Sequence, residues 1–113
     1  MHELGIVYEV VRQITEIAKR ESLTQIASVT LQIGQLSSVV PEYLEKCYPA
    51  AVDGTIMQNT VLHIEELPAN AICKSCGKVF NVVDNNKICP FCGKNGWDLL
   101  SGREFFIKQI EAC

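Results

Sequence analysis

No stretch of this 113-residue sequence approaches the ~18 consecutive apolar residues of a membrane-spanning helix. The first twenty residues do not form a signal peptide either, because Glu3, Glu9, Arg12 and Glu16 interrupt any apolar core. Positive charge is not in excess. Ten Lys and Arg face thirteen Asp and Glu, giving a net charge of -3. The overall charge therefore draws the chain toward neither nucleic acid nor an anionic membrane. Histidine is scarce, with only His2 and His63. No Ser/His/Asp set and no Gly-rich phosphate loop is evident. These absences predict a cytoplasmic protein that is not an enzyme.

What the chain does have is sulfur and a foldable composition. Hydrophobic residues make up 48% and charged residues 20%, which excludes wholesale disorder. Four of the six cysteines form two knuckles, Cys73-Lys-Ser-Cys76-Gly77 and Cys89-Pro-Phe-Cys92-Gly93, with twelve residues between Cys76 and Cys89. Two thiolates three positions apart can grip one metal ion from a tight turn. The glycine that follows allows the chain to turn away in a left-handed conformation. Two knuckles complete a tetrahedral shell of four sulfurs with no open position, so Cys73, Cys76, Cys89 and Cys92 are expected to hold a structural Zn2+. Lys74, Lys78, Lys87 and Lys94, set against Asp84, offset the charge of such a centre. Disulfides or free thiols are the plain alternative, disfavoured for doubled Cys-x-x-Cys in a reducing compartment. Rubredoxin-like iron is another, because tetrahedral sulfur suits either metal. Phe80, Phe91 and Trp97 make a thin shell for a redox iron. A nucleic-acid adaptor would need more than four lysines.

Around the knuckles the apolar periodicity changes twice. Residues 4–20 place Leu4, Val7, Val11, Ile14 and Ala18 near one face, with Val10 and Ile17 beside it, the period of an amphipathic helix. Residues 26–33 alternate Val29, Leu31 and Ile33 with Ser28, Thr30 and Gln32, a strand with one buried face that ends at Gly34. A second helix is predicted from Pro41 to Asp53-Gly54, with Leu44, Cys47, Tyr48 and Ala51 inward and Pro49 limiting its length. Residues 60–66 and 103–111 read as two further strands, the first with Leu62 and Ile64 inward and His63 outward. The last strand can pair only with the earlier two. The fold expected is α+β: two helices packed on a small three-stranded sheet, with a zinc-ribbon-like finger inserted between the second and third strands. Residues 1–69 plus 100–113 would form the α/β domain and 70–99 the finger. Two connections leave room for a swapped homodimer. Cys47 reads as a small core hydrophobe and Cys113 as a frayed terminus.

The opening Met1-His2-Glu3 carries a second kind of metal chemistry. A free Met1 amine, the His2 amide nitrogen and the His2 imidazole can close adjacent chelate rings. Ni(II) and Cu(II) accept the planar, nitrogen-rich geometry that results, and Glu3 can add a donor through its carboxylate or its amide. On spacing alone, a histidine at position two also reads as a solvated terminus.

Several stretches together resemble the HypA/HybF family of hydrogenase nickel-insertion proteins. They are Met1-His2-Glu3-Leu4-Gly5-Ile6-Val7, the run Ile33-Gly34-Gln35-Leu36-Ser37-Ser38-Val39-Val40-Pro41-Glu42, the doubled Cys-x-x-Cys, and Leu100-Ser101-Gly102-Arg103-Glu104 with Ile107-Lys108-Gln109-Ile110-Glu111. The likeness covers essentially the whole chain in order. It implies a nickel metallochaperone for [NiFe] hydrogenase maturation, with Ni2+ as exchangeable cargo at His2, Met1 and Glu3 and structural Zn2+ in the finger. It also implies a nickel-loading GTPase and the precursor large subunit of [NiFe] hydrogenase as partners. Nothing in it implies binding to nucleic acid or membrane.

Overall fold

The computed structural model describes residues 2–112. Its element order is α1 (His2–Arg20), β1 (Ile26–Gly34), α2 (Pro41–Val52), β2 (Val61–Leu67), β3 (Asn70–Cys73), β4 (Val79–Asn81), β5 (Trp97–Leu99) and β6 (Phe105–Ala112). The chain divides into two compact units. One holds the residues up to Gln32, Val39–Glu65 and the chain from Phe106 onward; the other holds Ile33–Ser38 and Glu66–Phe105.

In the first unit, α1 buries Val7, Val10, Ile14 and Ala18, spaced three and four apart so that they share one face. The helix ends where Ser22 turns left-handed, and the Leu23 amide reaches back to the Ala18 carbonyl at 2.8 Å. That contact satisfies an orphan carbonyl of the last turn. On the solvent side Arg12 bonds Glu9 and Glu16, at 2.7 and 2.9 Å. Such exposed pairs contribute little. α2 runs through Pro49 to Val52, further than its proline suggests. Pro49 lies on the exposed side, where water can take the carbonyl its missing amide leaves free. Leu44, Tyr48, Ala51 and Val52 are buried there, whereas Cys47 is half-buried rather than in the core. Burial of one such leucine contributes about 2 kcal/mol. The Tyr48 hydroxyl donates to the Thr60 carbonyl at 2.9 Å, and burial pushes its pKa up to about 12.

β1 is the central strand of a three-stranded sheet ordered β2-β1-β6. Thr60 donates to the Ile26 carbonyl and Gln32 bonds Glu65, so partners advance together along β1 and β2. The two strands are parallel, as a helical crossover requires. Ser28 meets Glu111 while Gly34 meets Glu104, so β6 is antiparallel to β1. The central position changes one expectation. Ser28 and Thr30 are buried as well as Val29, Leu31 and Ile33. A strand flanked on both edges shields its polar face too, and the Ser28 hydroxyl finds the Glu111 carboxylate at 2.6 Å.

The second unit contains a sheet the periodicity does not announce. β3 pairs with β4 and with β5, both antiparallel, around a core of Ala69, Ala71, Cys73, Phe80, Val82 and Cys89. Three backbone segments meet there without side chains between them. The Gly34 amide bonds the Glu104 carbonyl, Gln35 the Leu67 carbonyl and Leu36 the Gly102 carbonyl. A β-carbon on Gly34 would land on the Gly102 carbonyl. One on Gly102, whose φ is +118°, would meet the Ala69 backbone at 2.6 Å. Gly34→Ala is therefore expected to destabilise the protein by about 3 kcal/mol or more, because backbone must yield rather than a side chain. Urea denaturation measures this, and an unchanged midpoint would contradict the tight crossing.

Candidate metal centre

The four cysteines predicted from spacing come together at one point. Cys73 closes β3, Cys76 follows in the turn, and Cys89 and Cys92 occupy the second turn before β5. The two knuckles have the same build. The Gly77 amide bonds the Cys73 carbonyl at 2.9 Å and the Gly93 amide the Cys89 carbonyl at 2.8 Å, with φ of +73° and +77°. Each first cysteine also donates its amide across its turn, Cys73 to Lys78 and Cys89 to Lys94. Glycine supplies the left-handed step at both places without a side-chain clash.

All four sulfurs lie within 4.8 Å of one another, with Cys73 to Cys92 at 3.5 Å and Cys76 to Cys89 at 3.6 Å. A zinc ion with bonds of ~2.3 Å to four sulfurs requires edges of about 3.8 Å between them, so the donor set fits a tetrahedral ion in both number and spacing. No disulfide joins any of the four. Their environment already distinguishes them. The amides of Cys76 and Ser75 hold the Cys73 thiol down to about 6. The Lys94 amide favours the Cys92 thiolate, but burial and proton sharing with Cys73, Cys89 and Cys76 push it up to about 11. Amides aimed at sulfur are what a thiolate–metal centre requires around it.

The shell around the sulfurs is built from few residues. Trp97 donates its indole N–H to the Lys87 carbonyl at 3.0 Å, and Lys78 lies 4.7 Å from the Phe91 ring centre, linking one knuckle to the other. Asp84 has company that the charge reading overlooked, because Asp98 in β5 lies 3.5 Å from Lys74. Spacing also gave no hint of Gln35. Its side-chain oxygen accepts from the Ala69 amide at 2.9 Å and from the Asn81 side chain at 3.0 Å. No local pattern marks a residue that acts 34 and 46 positions away.

The N-terminal candidates lie in the first unit. His2 is exposed as the first described residue of α1. Glu3, its neighbour, is 5% exposed, and its carboxylate accepts the Val40 amide at 3.0 Å. That hydrogen bond, more than anything else, holds the Glu3 pKa below the usual carboxylate value. Met1 and Cys113 lie outside the described residues. His63 is exposed on β2, and the Cys47 thiol donates to the Leu44 carbonyl at 3.5 Å. Among the described residues, the four finger cysteines are the one cluster of three or more groups able to hold a metal ion.

Comparison with known proteins decides the family. Residues 1–112 match the family model described as hydrogenase/urease nickel incorporation, metallochaperone, hypA. The chain belongs to the HypA family. It is 40% identical over 110 residues to the hydrogenase maturation factor HypA of Geotalea daltonii, covering 97% of each chain. It is 38% identical to that of Chlorobium limicola, covering 97% of this chain and 95% of the relative. Among solved structures, a solution structure of HypA protein superposes with a TM-score of 0.71 at 22% identity, covering 100% of this chain and 97% of the other. The nickel metallochaperone HypA from Helicobacter pylori gives 0.67 at 20% identity, covering 97% and 96%. These two likenesses concern the fold. HypA-family membership sets aside both the electron carrier and the nucleic-acid adaptor. No described helix is long and apolar enough to cross a membrane.

Proposed function

We propose that this protein carries Ni2+ on its N-terminus and delivers it for maturation of [NiFe] hydrogenase, while Zn2+ in the four-cysteine finger serves structure alone. The reading rests above all on the contrast between the two candidate sites. The finger offers four sulfurs at mutual distances that one tetrahedral ion fills, which leaves no position for cargo. His2 stands exposed at the start of a helix, where the first amides have no partner within the helix. Its imidazole, with the Met1 amine and the backbone nitrogens of His2 and Glu3, makes a nitrogen-rich set suited to Ni(II). Few ligands at a chain end hold an ion selectively and still release it.

The residues 1–69 with 100–113 then form the nickel-binding domain, and 70–99 the zinc-binding finger. The protein acts by transfer rather than catalysis, in the cytoplasm. Its partners are a nickel-loading GTPase and the precursor large subunit of [NiFe] hydrogenase. The relatives' designation as hydrogenase maturation factors supports that choice.

Metal analysis and nickel titration of untagged protein test the proposal. The purified chain should retain one equivalent of zinc and take up one of nickel, and nickel should leave as the pH falls, because the imidazole must be neutral to bind. An untagged chain that takes up no nickel would falsify the proposal.

A further inference from the structure

The chain that joins the two knuckles leaves β4 at Asn81, whose half-buried side chain bonds in two directions. Its Oδ1 accepts the amides of Val83 and Asp84, each at 3.0 Å, and its carbonyl accepts the Asn85 side chain at 2.8 Å. These bonds curl the start of the loop, as an asparagine side chain does in a turn. The Lys87 amide closes the base of the loop on the Val82 carbonyl at 2.7 Å, two residues before Cys89. Asn81 Nδ2 points the other way and donates to Gln35 Oε1 at 3.0 Å. That oxygen also accepts the Ala69 amide at 2.9 Å, which uses both its lone pairs. The Val82 amide in turn bonds the Ala69 carbonyl at 2.9 Å. Gln35 and Ala69 thus hold two consecutive residues at the point where the chain sets out for the second knuckle.

We infer that Gln35 and Asn81 are positioning residues for zinc: as a pair they fix the base of the loop that presents Cys89 and Cys92 to Cys73 and Cys76. The inference rests on the zinc reading above. An asparagine amide fits a site in two ways, with its oxygen and nitrogen exchanged. The Ala69 amide requires an oxygen from Gln35, and that oxygen requires the nitrogen of Asn81. The Asn81 oxygen is then left facing the loop amides. Only the first knuckle has a strand to hold it, because Cys73 ends β3, which pairs with both β4 and β5. Cys89 and Cys92 lie between β4 and β5 and take their place from the loop, with the Trp97 indole on the Lys87 carbonyl steadying its far side.

The experiment compares wild type, Gln35→Met, Gln35→Glu, Asn81→Ala and the double variant Gln35→Met with Asn81→Ala. Zinc affinity is read by competition with a chromogenic chelator, and maleimide labelling of each cysteine in the zinc-loaded proteins is read by peptide mass. Gln35→Met and Asn81→Ala should each weaken zinc binding about tenfold or more, as loss of an outer support does. Gln35→Glu keeps an oxygen for both donors and should stay within about threefold of wild type. The double variant should fall well short of the product of the two losses, because both act through one bond. Each knuckle has one buried and one exposed cysteine, so the comparison is matched. In Gln35→Met and Asn81→Ala, Cys89 should label before Cys73 and Cys92 before Cys76, a bias that general destabilisation of the finger does not create. Three results overturn the inference: wild-type affinity in both single variants, labelling that rises equally in the two knuckles, or a Gln35→Glu protein as weak as Gln35→Met. If Asn81→Ala does not fold, Gln35→Met against Gln35→Glu decides the same question. A wild type that holds no zinc overturns the zinc reading and this inference with it, whereas the three results above leave the zinc reading standing.

Discussion

Replacing His2 with alanine, or extending the chain by a tag ahead of Met1, should lower nickel affinity by roughly 100-fold or more while the zinc content stays at one per chain. Changes to residues that merely support a ligand cost 10- to 100-fold in metal affinity, so loss of the imidazole itself belongs at or beyond that range. A tag acts by a different route. It converts the terminal amine into an amide, which binds a divalent ion only after losing a proton, and it removes one chelate ring. The two changes therefore damage different donors and should produce the same defect. Replacing His2 should leave stability unchanged, because its side chain is exposed. Isothermal titration with nickel, alongside thermal unfolding, measures both quantities. Tight binding by the tagged protein would place the cargo elsewhere, and His63, exposed on β2, would be the next residue to replace.

The second large effect concerns zinc. Stripping the metal, or replacing Cys73 with serine, should abolish the ordered structure of β3, β4 and β5 while α1 and α2 persist. The core of that unit consists of Ala69, Ala71, Phe80 and Val82 beside two of the cysteines themselves. Residues 70–99, which carry all three strands, fall below the length of about 40 residues under which a fold usually needs a metal or disulfides. Structural zinc contributes about 10 kcal/mol or more at neutral pH, which exceeds what four such side chains provide. The helices draw on a separate core of Val7, Val10, Ile14, Leu44 and Ala51. Far-ultraviolet dichroism should keep its helical bands, while amide resonances of residues 70–99 collapse to unfolded positions. Acid should have the same outcome. The Cys73 thiol sits near 6 and the Cys92 thiol near 11 without metal, and zinc requires both as thiolates. Falling pH returns those protons and favours the metal-free form. Finger resonances that remain dispersed after complete zinc removal would show that the apolar cluster suffices.

The metal centre was legible from spacing because the geometry it needs is local. A knuckle is a turn of five residues, and Cys-x-x-Cys-Gly specifies that turn wherever it occurs. α1 was legible for a similar reason, since nineteen residues give the helical period several repeats. β4 and β5 were not legible, because three residues each are too few to show alternation. The burial of Ser28 and Thr30 also lay beyond reach. It depends on β1 having a neighbour on both edges, and the second neighbour arrives seventy positions later. Glu3 illustrates the same limit at the N-terminal site. Spacing offered its carboxylate or its amide as a metal donor but gave no hint of the bond to the Val40 amide, because Val40 lies 37 positions away. Periodicity reports which residues go inside. It does not report which distant backbone group meets them there.

The crossing of Gly34, Ala69 and Gly102 has a consequence for how the chain can change length. A residue inserted between Ile26 and Leu36 would shift β1 against β2 and β6 together, sending each following side chain to the opposite face. It would also carry Gly34 away from the one place where a residue without a side chain is required. The turn at Asp84–Lys87, beyond the end of β4, is exposed except at Asn85, and apart from the Lys87 carbonyl that accepts the Trp97 indole its hydrogen bonds are local. Insertions and deletions among homologues should collect in that turn and be excluded from the central strand.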